Sequence, residues 1–485
     1  MKILIAASEA FPFCKTGGLA DVTGALSQVF ARTEGNEVVL FLPRYRNVGG
    51  GAFSPKAAGG SFLVPMGGRL ETVTMSRVQW GKVAVYFVEN PKYFDRPGMY
   101  RTASGDYEDN DERFIFFSRA VLEGAKFIGF KPDVIHCHDW QTGLVPAYLR
   151  TLYHIDSFYA KTAAVFTIHN VAYQGMFPKE TLLKAGFSWL DFTPEKLEYY
   201  GGMNFMKAGL AFADLITTVS PTYASEIQYR PEFGCGMEGV LKHRTTDLFG
   251  ILNGIDEEIW DPATDTFLER GYELKSFQKG KAVNKRSLQG ELGLEENKDL
   301  VLAGVVSRLD RQKGLDTLLN AAPEFLDKMQ FVILGQGDPG LTDGFRALAE
   351  SHPGRVAFRS GFDESLAHRI YGGSDIFIMP SRFEPCGLPQ MISMRYGSLP
   401  VVTRTGGLKD TVFYNGEPKD SNGFAIDHAD DGQLRSVLGH AISLYGWKEN
   451  WNLMVRNAMR GNYSWAKSAD SYMKLFNIAV QRRQL

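Results

Sequence analysis

The residues best placed for chemistry fall in two loops that each follow an apolar run. Ser381-Arg382-Phe383-Glu384-Pro385-Cys386-Gly387-Leu388-Pro389 comes after Asp375–Pro380 and before a helical pattern that starts near Gln390. At the carboxyl end of a parallel strand, such a loop faces the ligand crevice of an open α/β sheet. The N–H groups of the following helix favour a phosphate, and Glu384 can accept hydrogen bonds from sugar hydroxyls, so the stretch reads as a phosphosugar cradle. The plainer alternative for Glu384 is a carboxylate resting on a helix dipole. Ser307-Arg308-Leu309-Asp310-Arg311-Gln312-Lys313-Gly314-Leu315-Asp316 also follows a strand-like run and opens a helix. Arg308 and Lys313 could converge on one diphosphate and stabilise the charge of a departing phosphate without a metal; otherwise they are two solvated cations.

Other groups are weaker. Gly17-Gly18, after Lys15 and Thr16, lets backbone approach a ligand beside a cation, but the loop lacks the G-x-G-x-x-G of dinucleotide binders. His136-Cys137-His138-Asp139-Trp140 contains metal-ligand types, yet adjacent strand residues face opposite sides and no second cluster completes a set, so no metal is expected and Asp139 reads as a hydrogen-bonding strand-end residue. His169-Asn170 ends another strand; His169 could bond a sugar hydroxyl or be a satisfied core histidine. Asp109-x-Asp111 resembles a carboxylate pair for a divalent ion, against which a solvated loop is the expectation. Cys386, beside glycine in a tight loop, is expected to pack and not to attack. No Ser-His-Asp order or G-x-S-x-G elbow supports acyl transfer.

The elements that must position these residues alternate. Strands are expected at Lys2 to Ala7, Glu37 to Leu42, Val83 to Val88, Asp133 to Cys137, Ala163 to Ile168 and Leu215 to Val219, with helical runs between several of them. Tyr93 to Asp111 reads as a long surface loop. After an Asn253-Gly254 turn a second cycle begins at Leu300 to Val306 and continues at Phe331 to Leu334, Val356 to Phe358, Ile376 to Met379 and Leu399 to Thr403. Two doubly wound α/β domains are the predicted architecture. Thr16-Gly17-Gly18-Leu19 recurs as Thr405-Gly406-Gly407-Leu408, each time after a basic residue, which is either a repeat or convergent turn chemistry.

A length of 485 residues suits two cores, and 44% hydrophobic with 22% charged residues excludes disordered, collagen-like and coiled-coil classes. A net charge of −2, from 53 basic and 55 acidic residues, gives no field for nucleic acid or an anionic membrane. The four cysteines are far apart, so neither a zinc ribbon nor a disulfide framework is suggested. The apolar run at Met1–Ala7 is too short for a signal peptide or a membrane span, and a cytoplasmic location is expected.

Taken in order, Lys15-Thr16-Gly17-Gly18-Leu19-Ala20-Asp21, His136-x-His138-Asp139-Trp140, His169-Asn170, Asn253-Gly254-Ile255-Asp256, Ser307-Arg308-Leu309 with Gln312-Lys313-Gly314, Ser381 to Leu388 and Arg404 to Leu408 closely resemble the signatures of bacterial glycogen synthases and plant starch synthases. These are retaining glucosyltransferases of the GT-B fold, with two Rossmann-like domains facing across a deep cleft. The resemblance covers nearly the whole chain. It implies ADP-glucose as donor, the non-reducing end of an α-1,4-glucan such as glycogen as acceptor, and no cofactor. It implies an acceptor-side domain over 1–248 completed by a C-terminal helix at 462–485, and a nucleotide-sugar domain over 249–461.

By the same resemblance, Arg308 and Lys313 hold the diphosphate, and Glu384 and His169 meet the transferring glucose. Asp139, Asn170 and Asn253 make neighbouring polar contacts, while Lys15 and Gly18 sit by the donor. Tyr100 is a candidate for stacking, and Cys386, Gly387 and Leu388 line the phosphate side. Phe362 could stack on the base. One departure stands out: the family usually has Thr where this chain has Pro389, which removes a hydroxyl and an N–H. The competing functions are a sugar-nucleotide epimerase on the same scaffold and a non-catalytic glucan-binding protein.

Overall fold

The computed structural model describes residues 1–48 and 53–484. The chain forms two compact units: residues 1–219, 224–251 and 468–485 make the first, and residues 220–223 and 252–467 the second.

The strands of the main sheet of the first unit are β1 (Lys2–Ala6), β2 (Glu37–Pro43), β3 (Lys56–Met66), β4 (Arg69–Trp80), β5 (Val83–Glu89), β6 (Val134–His138), β7 (Ala163–Ile168), β8 (Leu215–Thr218) and β9 (Leu248–Gly250). Among the described residues they form one sheet in the order β9-β8-β7-β6-β1-β2-β5-β4-β3. Ile3, Leu4, Ile5 and Ala6 are all fully buried, as are Ala163 to Phe166, because helices cover both faces of this part of the sheet. Strand β1 pairs in parallel with β2 on one side and β6 on the other, so the strand order reverses there. The loops that leave β1 and β6 diverge and open a crevice at the carboxyl ends of the strands. Helix α1 (Gly18–Arg32) begins in the first of those loops.

The antiparallel hairpin β3–β4, closed by Gly67 at φ 56°, was not expected. Its first strand reads Lys-Ala-Ala-Gly-Gly-Ser-Phe-Leu-Val-Pro-Met and lies mostly exposed at the sheet edge, so neither propensity nor burial marks it. The segment expected as a surface loop is also different. Tyr93 and Phe94 are fully buried, and Asn110 opens the helix Asn110–Phe127. Asp109 takes both guanidinium nitrogens of Arg96 at 2.7 and 2.6 Å, while buried Asp111 accepts from Thr181 Oγ1 at 2.8 Å and Lys184 Nζ at 2.9 Å. Asp109 is half-exposed and tied up by Arg96, whereas Asp111 is buried, and removing it from water requires its cationic and hydroxyl partners; neither is free for a divalent ion.

The second unit carries β10 (Val301–Val306), β11 (Met329–Gly335), β12 (Val356–Ser360), β13 (Ile376–Met379), β14 (Leu399–Thr403) and β15 (Phe424–Ile426). Among the described residues they make a parallel sheet in the order β12-β11-β10-β13-β14-β15. The order reverses at β10, so the loops after β10 and β13 flank the switch point. These are the two loops that carry Arg308, Lys313 and Glu384. Asp375, at the entrance to β13, accepts from the backbone N of Leu302 at 2.8 Å and from Lys285 Nζ at 2.7 Å, which ties the helix Phe277–Glu291 to the two central strands. The C-terminal helix runs Trp465–Gln484; within the first unit, Phe476 packs its ring 5.3 Å from Phe30 and 5.2 Å from His136.

Candidate functional site

In the second unit the two loops at the switch point are laced together by backbone and side chain alike. The Arg382 backbone N donates to Gln312 O at 2.8 Å, and Gln312 Nε2 donates to Phe383 O at 3.0 Å. Arg382 grips Asp316 through both guanidinium nitrogens at 2.7 Å, a bidentate pair that fixes the angle between the loops. At Gly314, φ is 65° and a Cβ would lie 1.9 Å from Pro380 O, so only glycine lets the loops close to this distance.

This lacing brings Lys313 to Glu384. Lys313 Nζ stands 2.6 Å from Glu384 Oε2, which also accepts from Ser381 Oγ at 3.1 Å. Glu384 is 7% exposed, so the pair is held in a largely desolvated place. Arg308 lies beside it with its side chain 64% exposed, 3.3 Å from Asp310 Oδ2. A cavity of about 180 Å³ is lined by Arg308, Lys313, Ser381 and Pro389. The two cations expected to converge therefore line one cavity, Lys313 paired with buried Glu384 and Arg308 largely exposed beside Asp310. A second cavity, of about 330 Å³, is lined by Arg359, Gly361 and Phe362, whose ring is 78% exposed.

Below the cation pair the loop is held by packing. Cys386 is buried, and burial pushes its thiol up to about 12 against a hydrogen bond from the Asn253 backbone, which disfavours a thiolate at neutral pH. Asn253 is itself buried, and its Oδ1 has no partner among the described residues. Gly387 takes φ 75°, Leu388 is the N-cap residue, and Pro389 occupies the first position of α2 (Pro389–Arg395). Helix α3 (Gly406–Thr411) follows β14, and the Gly407 backbone N donates to Pro385 O at 3.1 Å.

In the first unit the organising group is Glu9, one turn after β1 and only 3% exposed. Its carboxylate accepts from Thr16 Oγ1 at 2.6 Å, from the backbone N of Thr16, from the backbone N of Gly17 at 3.3 Å and from Tyr100 OH at 2.7 Å. The Lys15-Thr16-Gly17-Gly18 turn is thus wrapped on a buried carboxylate. Lys15 Nζ reaches Asp21 at 2.7 Å, and a Cβ built on Gly17 or Gly18 meets nothing within 4 Å. Tyr100, expected as a stacking group, spends its hydroxyl on Glu9 and on Ser8 at 2.8 Å.

Asp139 follows β6 at φ 53°, a left-handed conformation that costs a non-glycine residue about 1–2 kcal/mol and marks a constrained site. Its Oδ1 accepts from the backbone N of His169 at 2.7 Å and a second bond comes from the Asn170 backbone. Burial raises its pKa to about 7, these donors pull it down, and the charge of Glu9 adds to the rise. Asn170 Oδ1 accepts from the Ala172 backbone N at 3.0 Å, which shapes the turn after β7. His169 Nε2 lies 2.9 Å from His138 Nδ1, and burial lowers the His169 pKa to about 3, so the ring is neutral at physiological pH. Among the described residues no group of three or more His, Cys, Asp or Glu side chains is placed to hold a metal ion.

Each unit therefore groups its expected residues at its own switch point: Lys15, Gly18, Tyr100, Asp139, His169 and Asn170 in the first, Asn253, Arg308, Lys313, Glu384, Cys386, Gly387 and Leu388 in the second. Glu9, Thr16, His138 and Ser381 were not singled out as site residues. The signal for Glu9 was available in principle, as a carboxylate directly after a buried strand and before a glycine turn.

A family model described as starch synthase catalytic domain matches residues 2–243, and one described as glycosyl transferases group 1 matches residues 300–442. A protein named glycogen synthase from Elusimicrobium minutum is 52% identical over 99% of this chain and 100% of its own. The chain belongs to the glycogen and starch synthase family. Another member, the glycogen synthase of Geobacillus stearothermophilus, is 42% identical over 100% of this chain and 99% of its own. Among solved structures, the catalytic domain of starch synthase IV from Arabidopsis thaliana, bound to ADP and acarbose, superposes with a TM-score of 0.90 at 34% identity, covering 99% of each chain. A sucrose-phosphate synthase from Thermosynechococcus elongatus, 17% identical with a TM-score of 0.62, shares the fold. The GT-B glycosyltransferase fold expected from the motifs is the fold of the family, and its members are glucosyltransferases. The comparisons support neither an epimerase nor a non-catalytic glucan-binding protein.

Proposed function

We propose that the protein is a glycogen synthase that transfers glucose from ADP-glucose to the non-reducing end of an α-1,4-glucan with retention of configuration. The observation that carries the reading is the cavity shared by Arg308 and Lys313 beside buried Glu384, within a chain 52% identical to a glycogen synthase. In this reading Arg308 and Lys313 hold the diphosphate, and Glu384 and His169 meet the transferring glucose. Asp139, Asn170 and Asn253 supply nearby polar contacts, Lys15 and Gly18 lie along the donor, and Cys386, Gly387 and Leu388 back the phosphate. The first unit serves the acceptor and the second the nucleotide, with Phe362 against the base. The ADP named in the Arabidopsis structure favours adenine.

The chemistry follows from the charges. The bond between glucose C1 and the phosphate oxygen breaks, the bond from C1 to the acceptor hydroxyl oxygen forms on the same face, and the hydroxyl proton passes to the leaving diphosphate. Two preorganised cations stabilise the charge that develops on the departing oxygen. Glu384 holds Lys313 in place before the donor arrives and keeps one carboxylate oxygen for sugar hydroxyls. No helix among the described residues is long and apolar enough to cross a membrane, and a cytoplasmic site of action accords with a sugar-nucleotide donor.

ADP release in the presence of glycogen, measured with ADP-glucose and UDP-glucose in parallel, tests the activity and the base. Lys313→Ala and Arg308→Ala are each expected to lower turnover by about two to three powers of ten. Arg308→Ala should do so without a change in melting temperature, because that side chain is exposed. Unchanged turnover in both variants would remove the assignment.

A further inference from the structure

Three imidazoles cluster along β6 and at the end of β7, His136 within β6, His138 at its carboxyl end and His169 just after β7, and only one of them has a role so far. His138 Nδ1 is 2.9 Å from His169 Nε2, His136 Nε2 is 2.7 Å from Thr167 Oγ1, and the rings of His136 and His138 are 4.1 Å apart. A contact between two ring nitrogens needs one N–H and one bare nitrogen, so the protonation of His138 dictates that of His169. The far nitrogen of His138 settles the choice. His138 Nε2 is buried and has no partner among the described residues, as is true of His136 Nδ1. A buried N–H without an acceptor is tolerated less than a bare acceptor nitrogen, so His138 carries its proton on Nδ1. That proton points at His169 Nε2, which must accept it, and His169 then carries its own proton on Nδ1. Among the described residues His169 Nδ1 has no hydrogen-bond partner.

The surroundings leave little room for another state. The His138 backbone N donates to Thr142 Oγ1 at 2.7 Å, and the His169 backbone N donates to Asp139 Oδ1 at 2.7 Å, so both main chains are pinned. Thr167 Oγ1 is shared between His136 and Thr217 Oγ1, the latter at 2.6 Å. Burial holds the pKa values of His136 and His169 near 3 and that of His138 well below its ordinary value, which keeps all three rings neutral.

We propose that His138 is a positioning residue that locks His169 in its Nδ1–H tautomer, so that His169 meets the transferring glucose as a neutral hydrogen-bond donor and not as a base. The inference rests on the glucosyltransferase reading for its consequence, though not for its geometry. A donor fixed in this way bonds an oxygen of the sugar and cannot take the acceptor proton, which is consistent with that proton leaving on the diphosphate.

The test uses the full-length protein labelled with ¹⁵N-histidine, with the His169 signals assigned through His169→Gln. The expected spectrum shows a protonated nitrogen at His169 Nδ1 and a bare one at Nε2; the reverse assignment overturns the inference. In parallel, His138→Phe removes the donor, and His138→Asn returns an amide N–H close to the place of Nδ1. His138→Phe is expected to lower kcat about 10- to 100-fold with little change in donor KM, as losses of histidine-orienting partners do, and His138→Asn to restore most of it. Equal loss in both variants at unchanged melting temperature also overturns it. If the wild-type protein releases no ADP with glycogen, the glucosyltransferase reading fails, while the wild-type spectrum still decides the tautomer.

Discussion

The two Thr-Gly-Gly-Leu turns look alike and are glycine-rich for opposite reasons. Each follows a strand and a basic residue and opens a helix, α1 at Gly18 and α3 at Gly406. At Gly17 the backbone is extended with φ −156°, and a Cβ on Gly17 or Gly18 would meet nothing within 4 Å. At Gly406 φ is 43° and a Cβ would lie 2.0 Å from Glu384 O; at Gly407 it would lie 2.2 Å from Cys386 O. The second pair is small because the polypeptide itself presses on it, wedging α3 under the loop that carries Glu384. The first pair leaves room that the protein does not fill, as a turn that admits a ligand backbone-close would. The anchoring differs in the same way. The first turn wraps a buried carboxylate with backbone N–H and hydroxyl donors, whereas the second unit sets Lys313 against Glu384 and Arg382 against Asp316.

The contrast can be broken most forcefully at Gly407. Gly407→Ala drives a methyl into backbone that cannot swing aside, and a loss of about 3 kcal/mol or more, with loss of transferase activity, is expected in thermal denaturation. A variant that melts like the wild type would show that the wedge is not tight.

The second prediction sharpens the difference in anchoring, because Asp139, like Glu9, is held by N–H donors. Its pKa stands near 7 in the fold against 3.8 as the ordinary value, so the folded state holds a proton that the unfolded chain releases. The stability from this group is complete below about pH 4 and is lost as pH rises to about 7. The neighbouring histidines act oppositely, contributing stability above their ordinary value of 6.5 and losing it as pH falls toward 3, but they are common to both proteins. The melting temperature of the wild type minus that of Asp139→Asn should therefore decline between pH 4 and pH 7; a flat difference would mean that the carboxyl is not perturbed.

Gly18→Ala gives a smaller and more discriminating result. Alanine in the first helical turn with open space around it should leave stability equal or raise it by up to about 1 kcal/mol, while donor KM rises if the turn admits the donor closely. A gain in stability without a change in KM would leave the first turn no reason for its glycines. The smallest effect is expected at Pro389, which shares the cavity of Arg308 and Lys313. Pro389→Thr restores a hydroxyl, and a fall in donor KM worth about 1 kcal/mol, measured by ADP release, would show that a contact is missing in the natural chain.

The parallel strands were legible because a strand covered on both faces is a continuous apolar run bounded by turns. Strands β1, β2, β5, β6, β7 and β8 in the first unit and β10 to β14 in the second lie where such runs lie. The hairpin β3–β4 and the short β9 and β15 escaped for the complementary reason, since an exposed edge and a three-residue strand carry little hydrophobic pattern. Asp111 was misjudged because polarity was read as solvation. Its partners Thr181 and Lys184 are 70 and 73 positions away in the chain.

What the amino-acid order alone determined was the kind of fold, the ends of the strands and the ordered motifs that mark the family, because these depend on local periodicity and on which residues follow a buried run. Arg308, Lys313 and Glu384 could be nominated on those grounds. Only the tertiary structure decided that Glu384 is shared by Lys313 and Ser381, that Glu9 gathers the first turn, and that one pair of glycines is enclosed and the other open. These are properties of distances between residues remote in the chain, and a hydrogen bond or a steric clash is set within a few tenths of an ångström, a scale on which sequence spacing carries no information.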